Sequence, residues 1–122
     1  MGISKIWVYG EVTALGATAG TLELLTKART LADSVEVIMA GDASAVAGEL
    51  GAHGATAVYS IGDPGDALPG GRVASAVAGS LEAGSGPDVL LATTSYDGRD
   101  VVGRLSAKVD RPVLSNVVDL VA

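Results

Sequence analysis

Val89-Leu90-Leu91-Ala92 runs straight into Thr93-Thr94-Ser95-Tyr96-Asp97-Gly98-Arg99-Asp100, and beyond it Val101, Val102, Leu105 and Val109 fall on one helical stripe. An unbroken apolar run suits a strand covered on both faces, whereas apolar residues three and four apart suit a helix packed by one side. Asp100 and Arg104, four residues apart, predict an exposed ion pair on that helix. The stretch therefore predicts a strand, a hydroxyl-rich loop and a helix in succession.

Working outward, the same alternation recurs. Apolar segments at Ile6 to Tyr9, Val35 to Ala40, Ala57 to Ile61, Val89 to Ala92 and Val113 to Val121 are separated by stretches of helical period. In the first of these stretches Leu24, Leu25, Ala28, Leu31 and Ala32 share a face, with Glu23 and Lys27 outside. In the second, Val46, Ala47 and Leu50 face inward. In the third, Val73, Val77 and Leu81 follow the breaker Pro69-Gly70-Gly71, which predicts a helix start near Arg72. Strands joined by crossover helices run parallel, so the sequence predicts an α/β domain over residues 1–122 with an open parallel sheet of five strands between two helical layers. Ile6-Trp7-Val8 and Val89-Leu90-Leu91-Ala92 read as its central strands. The last segment mixes Ser115, Asn116 and Asp119 into its apolar run and reads as a strand nearer an edge. Gly62 to Gly71 reads as a surface loop.

Composition narrows the chemistry. The chain has 122 residues, enough for one core. It contains no cysteine, which excludes disulfides, thiolate metal sites and a cysteine nucleophile. A net charge of -6 with a pI near 4.5 argues against a nucleic-acid partner. Despite 48% apolar residues and a mean hydropathy of +0.43, every apolar run stops short of the ~18 residues of a membrane helix. No membrane insertion is expected. Met1 to Lys5 shows no charged segment leading into a long apolar one, so the expected compartment is the cytoplasm. Trp7, Tyr9, Tyr59 and Tyr96 are the whole aromatic inventory, a small supply for stacking on bases or on an isoalloxazine.

In open parallel sheets ligands bind beyond the carboxyl ends of the strands. Two loops lie there in the predicted order. The loop from Gly10 to Thr21 follows the first strand, and its hydroxyls and glycines resemble a phosphate-cradling turn, although neither a dinucleotide nor a P-loop fingerprint occurs. The competing reading gives Thr13 and Gly16 a turn and makes Thr18 a helix cap. The second loop, Thr93 to Asp100, offers Thr93, Thr94, Ser95, Gly98 and Arg99 as candidate cofactor-binding residues, because hydroxyls, an amide turn and a guanidinium together hold an anion. There too capping competes, through Ser95 or Asp97. His53, the sole histidine, reads as a helix carboxyl-terminal residue, since a lone imidazole completes no metal site. No nucleophile elbow and no serine-histidine-aspartate order is evident, so no catalytic residue is assigned. Glu36, Glu49, Glu82 and Asp88 read as solvated surface.

Ser95-Tyr96-Asp97-Gly98-Arg99-Asp100-Val101-Val102-Gly103-Arg104-Leu105-Ser106-Ala107-Lys108, with Pro112-Val113-Leu114-Ser115-Asn116-Val117-Val118-Asp119-Leu120 after it, resembles the electron-transfer flavoprotein alpha subunit. Ile6-Trp7-Val8-Tyr9-Gly10-Glu11 resembles that family's opening strand, and Thr21 to Arg29 its first helix. The resemblance implies an adenine-nucleotide alpha-hydrolase-like, Rossmann-like fold with strand order 3-2-1-4-5. It implies a partner beta subunit of similar fold in a heterodimer. It also implies electron carriage from acyl-CoA and related dehydrogenases, in fatty acid oxidation, to a quinone reductase or other acceptor. In the family FAD is held mostly by a carboxyl-terminal domain that this sequence lacks, so the chain is expected to be a non-enzymatic scaffold and subunit interface with no flavin of its own. A stand-alone flavodoxin-like carrier and a stress-protein-like ATP binder are the alternatives. A response-regulator receiver is disfavoured, because Glu11 and Asp63 substitute poorly for its acidic cluster.

Overall fold

The computed structural model describes residues 3–61, 69–109, 111 and 113. Its elements follow the predicted alternation: β1 (Ile3–Tyr9), a small ribbon of β2 (Val12–Thr13) and β3 (Gly16–Ala17), α1 (Ala19–Ala28), β4 (Ala32–Met39), α2 (Ala47–Ala52), β5 (Ala57–Ser60), α3 (Gly70–Glu82), β6 (Val89–Leu91) and α4 (Tyr96–Lys108). Four strands make one parallel sheet in the order β5-β4-β1-β6. This is the order expected for the first four long strands. The fifth expected strand, within 113–121, lies outside the described residues apart from Val113, as does most of the expected loop at 62–71.

Side chains alternate across β1, and each face has its own helical layer. Ile6 and Val8 pack with Leu25 and Ala28 of α1, Val35, Val37 and Met39 of β4, Val46, and Leu50 of α2. Trp7 and Tyr9 pack on the other side with Ile38, with Val73, Ala74 and Val77 of α3, and with Val101 and Leu105 of α4. Two apolar clusters thus share one strand between them.

Some sequence expectations are corrected. β4, in which Val35, Val37, Ile38 and Met39 are buried, is also hidden on both faces; Val89 to Leu91 of β6 are half-buried, and the strand expected on its outer side lies outside the described residues. The α1 stripe ends at Ala28, and Ala32 belongs to β4. Ala47 is exposed, so α2 turns inward only Val46, at its cap, and Leu50. Helix α3 starts at Gly70, which agrees with the start expected near Arg72, and its first turn lies hard against α4: a Cβ on Gly70 would collide with Oδ2 of Asp100.

Glu36, read as solvated, is half-buried, while Glu49 and Asp88 are exposed as expected and make structural hydrogen bonds as well. Glu36 accepts hydrogen bonds from Trp7 Nε1 at 2.9 Å and from the Tyr59 hydroxyl at 3.1 Å, with Lys5 Nζ at 3.7 Å. The Trp7 and Tyr59 rings lie 5.3 Å apart and tilted, so the carboxylate closes a small aromatic cluster at the β4–β5 side of the sheet. Asp88 accepts from the backbone N–H groups of Ser4 and Lys5 and so ties the entrance of β6 to β1. Glu49 holds the β2–β3 ribbon through Ala17 N–H at 2.9 Å. Glu82 is exposed, as read from the sequence.

Replacing Glu36 by Ala strands the buried indole N–H of Trp7 and frees the Tyr59 ring. The expected loss is about 1 to 3 kcal/mol of folding stability. Urea unfolding followed by the fluorescence of Trp7, the only tryptophan, measures it directly.

Candidate functional site

β1 delivers Tyr9 to the carboxyl rim of the sheet, and Gly10 lets the chain leave it. A Cβ on Gly10 would sit 2.7 Å from Val37 Cγ1, so only glycine allows this close exit beside β4. The next residue, Glu11, is the pivot of the rim. Its carbonyl accepts from Thr18 N–H at 2.9 Å, and its own N–H donates to the buried Thr21 hydroxyl at 2.9 Å.

Between Glu11 and Thr18 the chain makes the β2–β3 ribbon, with Ala14 and Leu15 at the turn. Gly16 has φ +115°, a backbone conformation that glycine adopts without strain. Thr13 Oγ1 accepts from Leu15 N–H at 3.2 Å, and Thr18 Oγ1 caps α1 by accepting from Thr21 N–H at 3.2 Å. Of the two readings left open for this loop, turn and cap describe the geometry.

The second loop meets the first at Glu11. Ser95 Oγ donates to Glu11 Oε1 at 2.7 Å, and the Thr93 hydroxyl donates to the same oxygen. Ser95 is also the N-cap of α4, accepting from Gly98 N–H at 3.0 Å. Gly98 is buried there, and a Cβ on it would collide with the Thr93 carbonyl. On the α1 side, a Cβ on Gly20 would come within 2.8 Å of Thr93 Cγ2. The amino ends of α1 and α4 are therefore drawn together across Thr93, with one carboxylate between them.

Of the five candidate residues, the fold gathers Thr93 and Ser95 around Glu11 and buries Gly98 beneath them. Thr94 and Arg99 are exposed and make no part of this cluster. Glu11 is the residue that sequence reasoning missed. Its signals were its place in the Gly10 to Thr21 loop, just beyond a buried strand end, and the Gly10-Glu11 step that resembles the family's opening strand.

The field at the rim is negative. The phenol of Tyr9 is pushed up to about 12, first by burial and then by the charges of Asp97, Glu11 and Asp100. Asp97 sits in the first turn of α4, where a helix amino terminus favours a carboxylate. Asp100 bonds Arg104 through Oδ1 at 3.0 Å, the ion pair expected from their spacing. Its Oδ2 is buried against Gly70 and has no hydrogen-bond partner among the described residues.

His53 closes α2, with Nδ1 2.9 Å from the Glu49 carbonyl oxygen, as its position suggested. Among the described residues no three of His, Asp and Glu are arranged to hold a metal ion, and no helix is long and apolar enough to cross a membrane. Two open surface grooves, of about 490 and 470 Å³, lie away from the rim. Thr26, Lys27 and His53 line the first, and Ser75, Arg104 and Lys108 the second.

Compared with known families, residues 6–122 match the electron transfer flavoprotein domain. The chain belongs to that family. A search of curated proteins gives no match. The electron transfer flavoprotein domain is one of electron carriers, and its α/β fold with a parallel sheet is the one described above.

Two measurements test the rim. Gly98→Ala forces the α4 amino terminus away from Thr93 and is expected to destabilise the domain by roughly 1 to 3 kcal/mol, the range for overpacking a tight site, in denaturant unfolding. Tyr9 is expected to ionise near pH 12 rather than 10. Since the unfolded chain releases that proton first, the stabilising effect of the neutral phenol is complete below pH 10 and disappears as pH rises towards 12. Near-ultraviolet phenolate absorbance of the native protein, compared with that of Tyr9→Phe, isolates this titration.

Proposed function

We propose that this chain is the amino-terminal domain of an electron-transfer flavoprotein alpha subunit, serving as scaffold and subunit interface while the flavin is held elsewhere in the assembly. The complete protein would carry electrons in the cytoplasm from acyl-CoA and related dehydrogenases to a quinone reductase or other respiratory acceptor, paired with a beta subunit of similar fold.

One observation carries the scaffold reading: Glu11 accepts from Thr93 and Ser95 at the point where an open parallel sheet receives its ligand. A flavin diphosphate needs hydroxyl and amide donors at such a rim. Here Thr18 and Ser95 are committed to capping helices, Thr93 and Ser95 donate inward, and a carboxylate stands between them. A phosphate would meet like charge and spent donors. The engaged hydroxyls and Glu11 support placing the flavin elsewhere. The match over residues 6–122 supports the family part of the reading, and the resemblance of Ser95 to Lys108 supports the choice of the alpha subunit.

The purified chain is expected to be colourless and to give no saturable change when titrated with FAD. Co-expressed with a beta subunit and an alpha-subunit flavin domain, it is expected to co-purify in a yellow complex. Stoichiometric FMN or FAD on the isolated chain would instead favour a flavodoxin-like carrier, and tight ATP binding by calorimetry a stress-protein-like binder.

A further inference from the structure

The β2–β3 ribbon projects from the sheet rim and ends in Leu15, whose side chain is 99% exposed. Two-residue hairpin turns favour Gly, Asn and Asp, so a leucine at the tip is not explained by turn chemistry. The tip is also braced. Thr13 Oγ1 bonds Leu15 N–H and the Gly16 carbonyl, and Glu49 of α2 fixes Ala17 from below. An exposed leucine on a rigid mount loses little entropy when a partner covers it.

Two further apolar groups belong to the same rim. Val12, 38% exposed, directly follows Glu11, and Tyr96, 73% exposed, directly follows Ser95. Each is thus the chain neighbour of a residue in the 2.7 Å hydrogen bond that joins the two loops. Around them the described charges are mainly acidic: Glu11, Glu49 and Asp97, against Arg99 on α4.

We infer that Leu15, Val12 and Tyr96 form a docking point for a protein partner whose matching face is an apolar socket ringed by lysine or arginine. This deepens the proposed function, on which it rests for the existence of a protein partner. Charge decides among occupants. A second copy of the chain would bring Glu11, Glu49 and Asp97 against themselves, and the chain as a whole carries -6. An anionic membrane surface repels the same rim. A basic protein face is complementary to it.

The test places a photo-crosslinking amino acid at position 15 of the whole gene product in its native cells, with Glu82, exposed at the far end of α3, as the control position. One protein is expected to be captured from position 15 and not from 82, through a peptide bearing Lys or Arg beside apolar residues. The purified partner is then expected to bind the unlabelled chain, to lose about tenfold or more in affinity to Leu15→Asp, to keep it with Leu15→Met, and to bind more weakly as salt rises. Leu15 supports no packing, so the Asp variant retains its fold, which circular dichroism verifies. Equal capture at both positions, no capture at 15, capture of the chain itself, an acidic contact peptide or full affinity in Leu15→Asp would each overturn the inference. The two readings fail separately. A yellow alpha-beta complex that assembles unchanged with Leu15→Asp and gives no capture at 15 sinks the docking point alone, whereas a basic partner captured at Leu15 that has no part in electron transfer sinks the proposed function alone.

Discussion

Strand β1 is paired along both edges, by β4 and β6, and buried on both faces from Ile6 to Tyr9. Backbone groups in such a position have no access to water, so two parallel ladders must satisfy them. Side chains there must meet apolar cover on either side. Leu25, Ala28 and Leu50 provide it on one face, and Val73, Val77 and Val101 on the other. Removing either layer would expose half of β1. The two layers are thus one cooperative unit even though their apolar clusters are separate.

A strand so enclosed can release its chain only at its ends, and both ends are managed by carboxylates. At the entrance Asp88 accepts from Ser4 and Lys5 N–H groups. At the exit Glu11 gathers the hydroxyls of Thr93 and Ser95. Each bond ties β1 to the segment around β6, more than eighty residues away, and each is charge-assisted, stronger than a bond between neutral groups. Glu11 has a second consequence. It places negative charge between the amino ends of α1 and α4, where helix dipoles would otherwise attract an external anion.

The β-α alternation was legible because it depends on local pattern: apolar runs for β1 and β6, and stripes at Val73-Val77 and Val101-Leu105. The expected order of the long strands also held for the four described here. Misreadings arose where long-range contacts override local pattern. Glu36 looked solvated because its partners Trp7 and Tyr59 are on other strands. Leu31 continued the α1 stripe although the helix ends at Ala28, because the turn after α1 keeps the chain on the same side of the sheet and Leu31 packs on the same cluster. At the rim, hydroxyl-rich composition identified Thr93 and Ser95 but not the carboxylate that engages them. Its hydrogen bonds span 82 and 84 residues.

A ligand-site geometry that contains its own anion differs in kind from an empty one. In a nucleotide-binding rim, hydroxyls and helix amino termini remain unsatisfied until the ligand arrives, which costs stability in the free protein and favours binding. Here the hydroxyl donors of Thr18, Thr93 and Ser95 are used within the chain, so an arriving phosphate would have to displace Glu11 and leave a carboxylate without its partners. Glu11 is part-buried, and a carboxylate giving up hydrogen bonds of this kind loses about 1 to 3 kcal/mol. That cost opposes an added anion at this point of the rim. The Glu11–Ser95 bond joins the loop that carries the β2–β3 ribbon to the amino terminus of α4, and each of the two leaves an apolar group exposed, Leu15 on the ribbon and Tyr96 on the helix.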